Sequence, residues 1–151
     1  MTDSLRGAYR SICGAVLVAT MGSPVVTDAA VPAQSAAAGP AEAKRTILER
    51  HDLSGVDGWE VILGTAELRS GSVIGWHIHY GDESGYVLRG RFVLRVKGEP
   101  DRVLKAGDHF FNPSGLVHSL AAEPGTDGGT AVSTWIVAKG KPLAEPVGDG
   151  T

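Results

Sequence analysis

The run Gly71-Ser-Val-Ile-Gly-Trp-His77-Ile-His79-Tyr-Gly-Asp-Glu83 decides how this chain is read. His77 and His79 are two apart. On a strand that spacing puts both imidazoles on one face, roughly 7 Å apart at Cα. A metal ion about 2.1 Å from each ring nitrogen fits between two such side chains. Glu83 follows with a carboxylate, and a second run, Gly107-Asp-His-Phe-Phe-Asn-Pro113-Ser-Gly115-Leu-Val-His118, adds another imidazole 35 residues later. His77, His79, Glu83 and His118 are therefore the candidate metal ligands, in a pocket within β-structure. By the same alternation Val73 and Gly75 are expected on the ligand face, and Trp76 and Ile78 on the opposite one.

Around these runs the chain reads as short apolar stretches broken by glycine, proline and acids. Strands are expected over 59–68, 72–79, 85–96, 102–104, 108–112, 116–121 and 130–138. The breaks carry turn chemistry, as in Ser70-Gly71, Tyr80-Gly81-Asp82, Lys97-Gly98-Glu99-Pro100 and Pro113-Ser-Gly115. Many short strands at regular spacing argue for an all-β sandwich or barrel. No sustained helical period occurs past residue 50, and 21 glycines in 151 residues suit tight hairpins.

The two runs resemble the motifs of the cupin superfamily, in its small single-domain form. The first motif, G-x5-H-x-H-x3-E-x6-G, is met by Gly71, His77, His79, Glu83 and Gly90. The second, G-x5-P-x-G-x2-H-x3-N, is met by Gly107, Pro113, Gly115 and His118, with Ala122 in place of the final asparagine. The resemblance implies an all-β fold, a single double-stranded β-barrel of RmlC-like jelly-roll type. It also implies that His77, His79, Glu83 and His118 bind a metal in the barrel mouth. The Ala122 departure falls on a position that is usually structural.

Three imidazoles and a carboxylate form a mixed N/O set of borderline hardness. Four protein ligands would close a tetrahedral zinc site, whereas a six-coordinate ion would keep two positions open. The expected cofactor is thus one divalent transition metal, with Fe, Mn or Ni favoured over Zn. Because ligands must be deprotonated, metal should leave as pH falls through the imidazole range.

The first part of the chain has a different character. Arg6 and Arg10 precede the apolar, uncharged stretch 12–26, and then come small residues up to Pro40. That order reads as a secretory signal over 1–33, with an uncleaved anchor or an Ala-rich tail as alternatives. It implies a secreted or periplasmic protein. The only cysteine, Cys13, lies within it, so the mature chain would have neither disulfide nor thiolate ligand. Residues 34–45 read as a flexible linker, 46–140 as the barrel and 141–151 as a loose tail. The formal net charge is −3 with no basic stripe, which excludes nucleic acid as the expected partner. No stretch past the signal is long and apolar enough to span a membrane. The resemblance implies a homodimer with barrels paired edge to edge, for which exposed edge strands give a reason.

Other residues take plainer readings. His51 reads as surface, His109 as a polar strand residue, and Arg89, Arg91, Arg95 and Lys97 as a solvated face. Phe92, Phe110, Phe111 and Trp135 read as core or pocket wall, and Tyr86 as packing with a pocket role in reserve. There is no Ser-His-Asp motif, P-loop or dinucleotide fingerprint. The expected function is metal-dependent chemistry on a small organic molecule. Iron- or manganese-dependent dioxygenation comes first, with Glu83 as a base that could leave the metal. A lyase or isomerase, or a non-enzymatic ligand- or metal-binding protein, are the alternatives.

Overall fold

The structure is a computed structural model, and it describes residues 43–148. The signal read over 1–33, Cys13 and nearly all of the linker lie outside the described residues. Nine strands form one curled antiparallel sheet: β1 (Lys44–Asp52), β2 (Trp59–Arg69), β3 (Val73–Ile78), β4 (Gly81–Val96), β5 (Arg102–Lys105), β6 (His109–Asn112), β7 (His118–Ala122), β8 (Gly128–Ala138) and β9 (Glu145–Pro146). The main path runs β1-β2-β8-β4-β7-β3-β9, with β5 and β6 also paired to β4. This is the all-β, curled half-barrel expected of a jelly roll, and no helix occurs among the described residues.

The 16-residue β4 makes the curl. Its first part, from Gly81 to Gly90, pairs with β8 and β6, and its second part, from Arg91 to Val96, pairs with β5 and β7. A bulge between Val87 and Arg89 bends the strand where it passes from one layer to the other. Alternation holds before that bend, whereas Phe92, Val93 and Leu94 after it are all buried. Glu83, Gly85 and Val87 point inward and are buried, while Asp82, Ser84 and Tyr86 are exposed. The core between the layers gathers Leu68, Val87, Phe92, Leu94, Val96, Leu104, Phe110 and Leu120. A smaller cluster of Ile62, Trp135 and Val137 takes Leu143 against it.

Three expectations need correcting. β1 starts at Lys44 and runs to Asp52, so the stretch read as the end of a linker and the start of an unassigned segment is a paired strand. Its charged sequence, Lys-Arg-Thr-Ile-Leu-Glu-Arg-His-Asp, hides any period of two, and its pairing with β2 makes it a strand nonetheless. The segment read as a loose tail pairs with β3 through Glu145 and Pro146, and the Val147 amide donates to the Trp76 carbonyl at 3.0 Å. Two prolines and a glycine disguised it. Lastly, Phe111 is 57% exposed, because Phe110 beside it takes the inward position.

Candidate metal centre

Inside the curl, side chains stack in transverse rows. One row runs Ile62–Trp135–Glu83–Asn112 across β2, β8, β4 and β6. The next runs Gly64–Ser133–Gly85–Phe110. With two glycines and a serine, this second row leaves space, and the Phe110 ring fills part of it. A Cβ at Gly85 would lie 2.1 Å from that ring. The remaining cavity is lined by Ala66, Ile74, His77, Glu83, Asn112 and His118, among others. It is partly open, and its space for water-sized species is about 20 Å³, room for roughly one.

The opposite layer brings two histidines face to face, since His77 on β3 pairs with His118 on β7. β3 has one more residue than β7 between Ile74 and His77, so the strand bulges at Gly75-Trp76. The bulge reverses the expected alternation. Ile74, not Val73 or Gly75, shares the cavity with His77, and Val73 is 53% exposed. His79 lies just past the end of β3, on the way into β4. Its carbonyl accepts from the Gly115 amide at 3.0 Å, which ties the second run to the first.

The three rings lie close together, with centroids 4.3 to 5.1 Å apart. Each is turned by a backbone carbonyl. His77 Nδ1 donates to Gly75 O at 2.7 Å, His118 Nδ1 donates to Leu116 O at 2.9 Å, and His79 Nδ1 donates to Leu143 O. A carbonyl can only accept, so each Nδ1 carries a proton, and a ring that is neutral keeps its lone pair on Nε2. Metal-binding histidines are commonly oriented in this way. One ligand atom from each ring lies within 4.8 Å of the others, so the triad could hold a metal ion.

Glu83 Oε2 lies 3.3 Å from His79 Nε2 and 3.4 Å from His118 Nε2, and Asn112 Nδ2 donates to the same oxygen at 2.8 Å. Lone pairs on two imidazoles thus face a carboxylate oxygen. Acceptors facing acceptors repel unless a proton or a metal ion lies between them. His79 Nε2 is also buried with no hydrogen-bond partner among the described residues. The donor set therefore fits a metal ion. Burial pushes the His77 pKa down to about 4, with the Gly75 carbonyl working the other way and the charges of His118, His79 and Arg45 adding to the fall. At Glu83 burial works to raise the pKa, but hydrogen bonds, from His118 and His79 whenever their Nε2 atoms carry a proton and from Asn112, hold it well below the usual carboxylate range.

All four residues expected at the site are brought together. Asn112, the Leu143 carbonyl and the neighbouring Arg45 were not foreseen. Asn112 had a signal, since it sits on an expected strand directly before Pro113. The other two lay in segments read as tail and linker. The plainer readings of His51 and His109 fit their exposure, and Tyr86 stands on the outer face, away from the cavity. Trp135 is buried against the site, its ring centroid 6.0 Å from that of His79.

Residues 64–137 match the family described as Cupin_2, cupin domain. The structure is similar to that of a cupin-like protein from Thermotoga maritima MSB8, at 29% identity and a TM-score of 0.52, covering 72% of this chain and 78% of that one. It is similar in fold to KdgF from a Halomonas species, at 24% identity and a TM-score of 0.52 over 65% of this chain and 81% of that one. It is likewise similar in fold to the DMSP lyase DddQ of Ruegeria pomeroyi DSS-3, at 19% identity and a TM-score of 0.52. That last match covers 72% of this chain and only 53% of the lyase. No curated protein matches the chain. The domain match and the shared fold support the cupin superfamily that the two motifs resemble.

Proposed function

We propose that this cupin fold binds one divalent transition metal through His77, His79 and His118, with Glu83 as fourth ligand, and is a metal-dependent enzyme acting on a small organic molecule. The convergence of three histidines, two of them with Nε2 on the Glu83 carboxylate, carries the reading. A bound ion would supply Lewis acidity and a template for substrate. Four protein ligands leave a six-coordinate ion with open positions, which favours Fe, Mn or Ni over Zn and suits dioxygen chemistry. Glu83 is the carboxylate in the cavity wall, and Asn112 holds one of its oxygens. It is placed to serve as a base when it is not engaged by the metal. The composition of residues 1–33 supports a secreted or periplasmic setting.

The test is elemental analysis of protein purified without chelators, beside His77→Ala/His118→Ala. Close to one equivalent of metal, lost in the variant, is expected. Oxygen consumption with small substrates then separates dioxygenation from lyase or isomerase chemistry, which proceeds anaerobically. Glu83→Gln should reduce turnover more than metal content if the base role is right. Metal absent from the wild type after reconstitution with Fe(II), Mn(II), Ni(II) and Zn(II) would sink the reading.

The tight interior favours one second reading, a binding protein without turnover. An inner space near 20 Å³, though partly open, suits an ion better than a whole substrate. Its mark would be a ligand that co-purifies with the metal and is recovered unchanged.

A further inference from the structure

Arg45 is a cation the metal reading does not use. On β1 it lies opposite Ala66, a residue of the cavity wall, so its side chain is on the inner side of the sheet. The guanidinium carbon sits 5.7 Å from the centre of the Trp135 ring, and that ring in turn neighbours His79. Arg45 is half-buried, and its Nε, shut off from solvent, has no hydrogen-bond partner among the described residues. The carboxylate whose charge reaches it is Glu83, which is already held by Asn112 and faced by two histidines. Burial lowers the Arg45 pKa, yet a guanidinium stays charged in proteins.

The surroundings give this cation somewhere to act. Arg45 lines a hollow with Ala43, Val73 and Ile74, and Ile74 also walls the inner cavity. The hollow opens at the seam between β1 and β3, which share no ladder in the sheet path. A divalent ion, one ionised Glu83 and Arg45 together leave an excess of positive charge in a partly enclosed space. Buried charge of one sign is costly unless a counter-charge joins it.

We propose that Arg45 anchors the acid group of a small carboxylate substrate in the hollow beside Ile74, with the rest of that molecule directed toward the metal position. The planar guanidinium fork matches a carboxylate with two parallel hydrogen bonds, which an ammonium cannot do. Trp135 under the guanidinium limits its swing. The small inner space then sets the size of what extends past the carboxylate, a few atoms and no ring. The inference rests on the metal reading for its second contact, while the Arg45 contact itself needs no metal.

The test is calorimetric titration of pyruvate and glycolate, each against its neutral amide, into the full-length protein. It is run on metal-loaded and on chelator-treated samples, with metal content measured on each. The acids should bind at least about tenfold tighter than the amides, the worth of one charge-assisted pair of hydrogen bonds. Arg45→Gln should erase that preference with metal content unchanged, and Arg45→Lys should keep only part of it. A preference that survives Arg45→Gln, or no preference in metal-loaded wild type, overturns the proposal and leaves the metal reading standing. A preference dependent on Arg45 in protein that takes up no metal keeps the anchor and removes the metal reading. No metal and no preference removes both.

Discussion

His77 is where acid should first be felt. Its ring is held neutral down to about pH 4 by burial, whereas an unfolded histidine titrates near 6.5. Between those values the unfolded chain takes up a proton that the folded one refuses, so stability rises with pH across the window and is lost as pH falls through it. The lowered Glu83 adds in the same direction, since its contribution is present above the ordinary carboxylate range and fades on acidification. Urea titrations of chelator-treated protein at pH 7.5, 5.5 and 4 should show a loss of up to about 3 kcal/mol. His77→Gln should flatten part of that slope. A wild type that is as stable at pH 4 as at pH 7.5 would show that the ring is not held neutral. The four candidate ligand positions were legible because their chemistry and spacing stand in the sequence itself. Arg45 was not, because one arginine in an Ala- and Lys-flanked stretch looks like any solvated cation until its strand is paired opposite Ala66.

Among the elements, β9 has an effect out of proportion to its length. It is two residues long, yet it fixes the path that carries the Leu143 carbonyl to His79 Nδ1 and seats Leu143 against Ile62, Trp135 and Val137. A chain ending at Gly140 should keep its fold, since the main core comes from strands β2 to β8. It should bind metal 10- to 100-fold more weakly, roughly the effect of losing a partner that orients a ligand. Competition with a metallochromic chelator reads this directly, and an unchanged affinity would detach the tail from the site. The central strands were legible to within a few residues because hydrophobic alternation marks them. β1 and β9 were not, since each is an edge strand whose identity comes from its neighbour and whose side chains are charged, small or proline. The bulge in β3 escaped for a related reason. Nothing in Ile74-Gly75-Trp76-His77 says that one residue will be left over against β7, and that surplus put Ile74 on the ligand side.

For the molecule as a whole, the outer face of the β2-β8-β4-β6 layer stays to be explained. Tyr86, Leu88, Phe111 and Ile136 are exposed there, between 39 and 57% each. Apolar residues grouped in this way often mark a contact surface. The sequence leads to a homodimer paired edge to edge, and this face is proposed as its contact surface instead. Light scattering coupled to size exclusion should give twice the chain mass, and Phe111→Glu should return it to the single-chain value. A monomeric wild type at tens of micromolar would discard the proposal. The fold class was readable from two spaced motifs and a rhythm of short strands. The identity of the outer surface was not, because alternation assigns residues to two faces and says nothing about which exposed face meets a partner.

The three carbonyls that turn the histidines belong to Gly75, Leu116 and Leu143, and every amino acid supplies a carbonyl. No single-letter change at those positions can delete the acceptor. What can delete it is a change in length: a codon gained or lost near Gly75 or before Leu143 would slide the acceptor past its ring. Mutational tolerance here should therefore split by type, with substitutions accepted at Gly75 and penalised at Leu116 and Leu143 only for lost packing, and insertions or deletions beside them rejected in a deep scan.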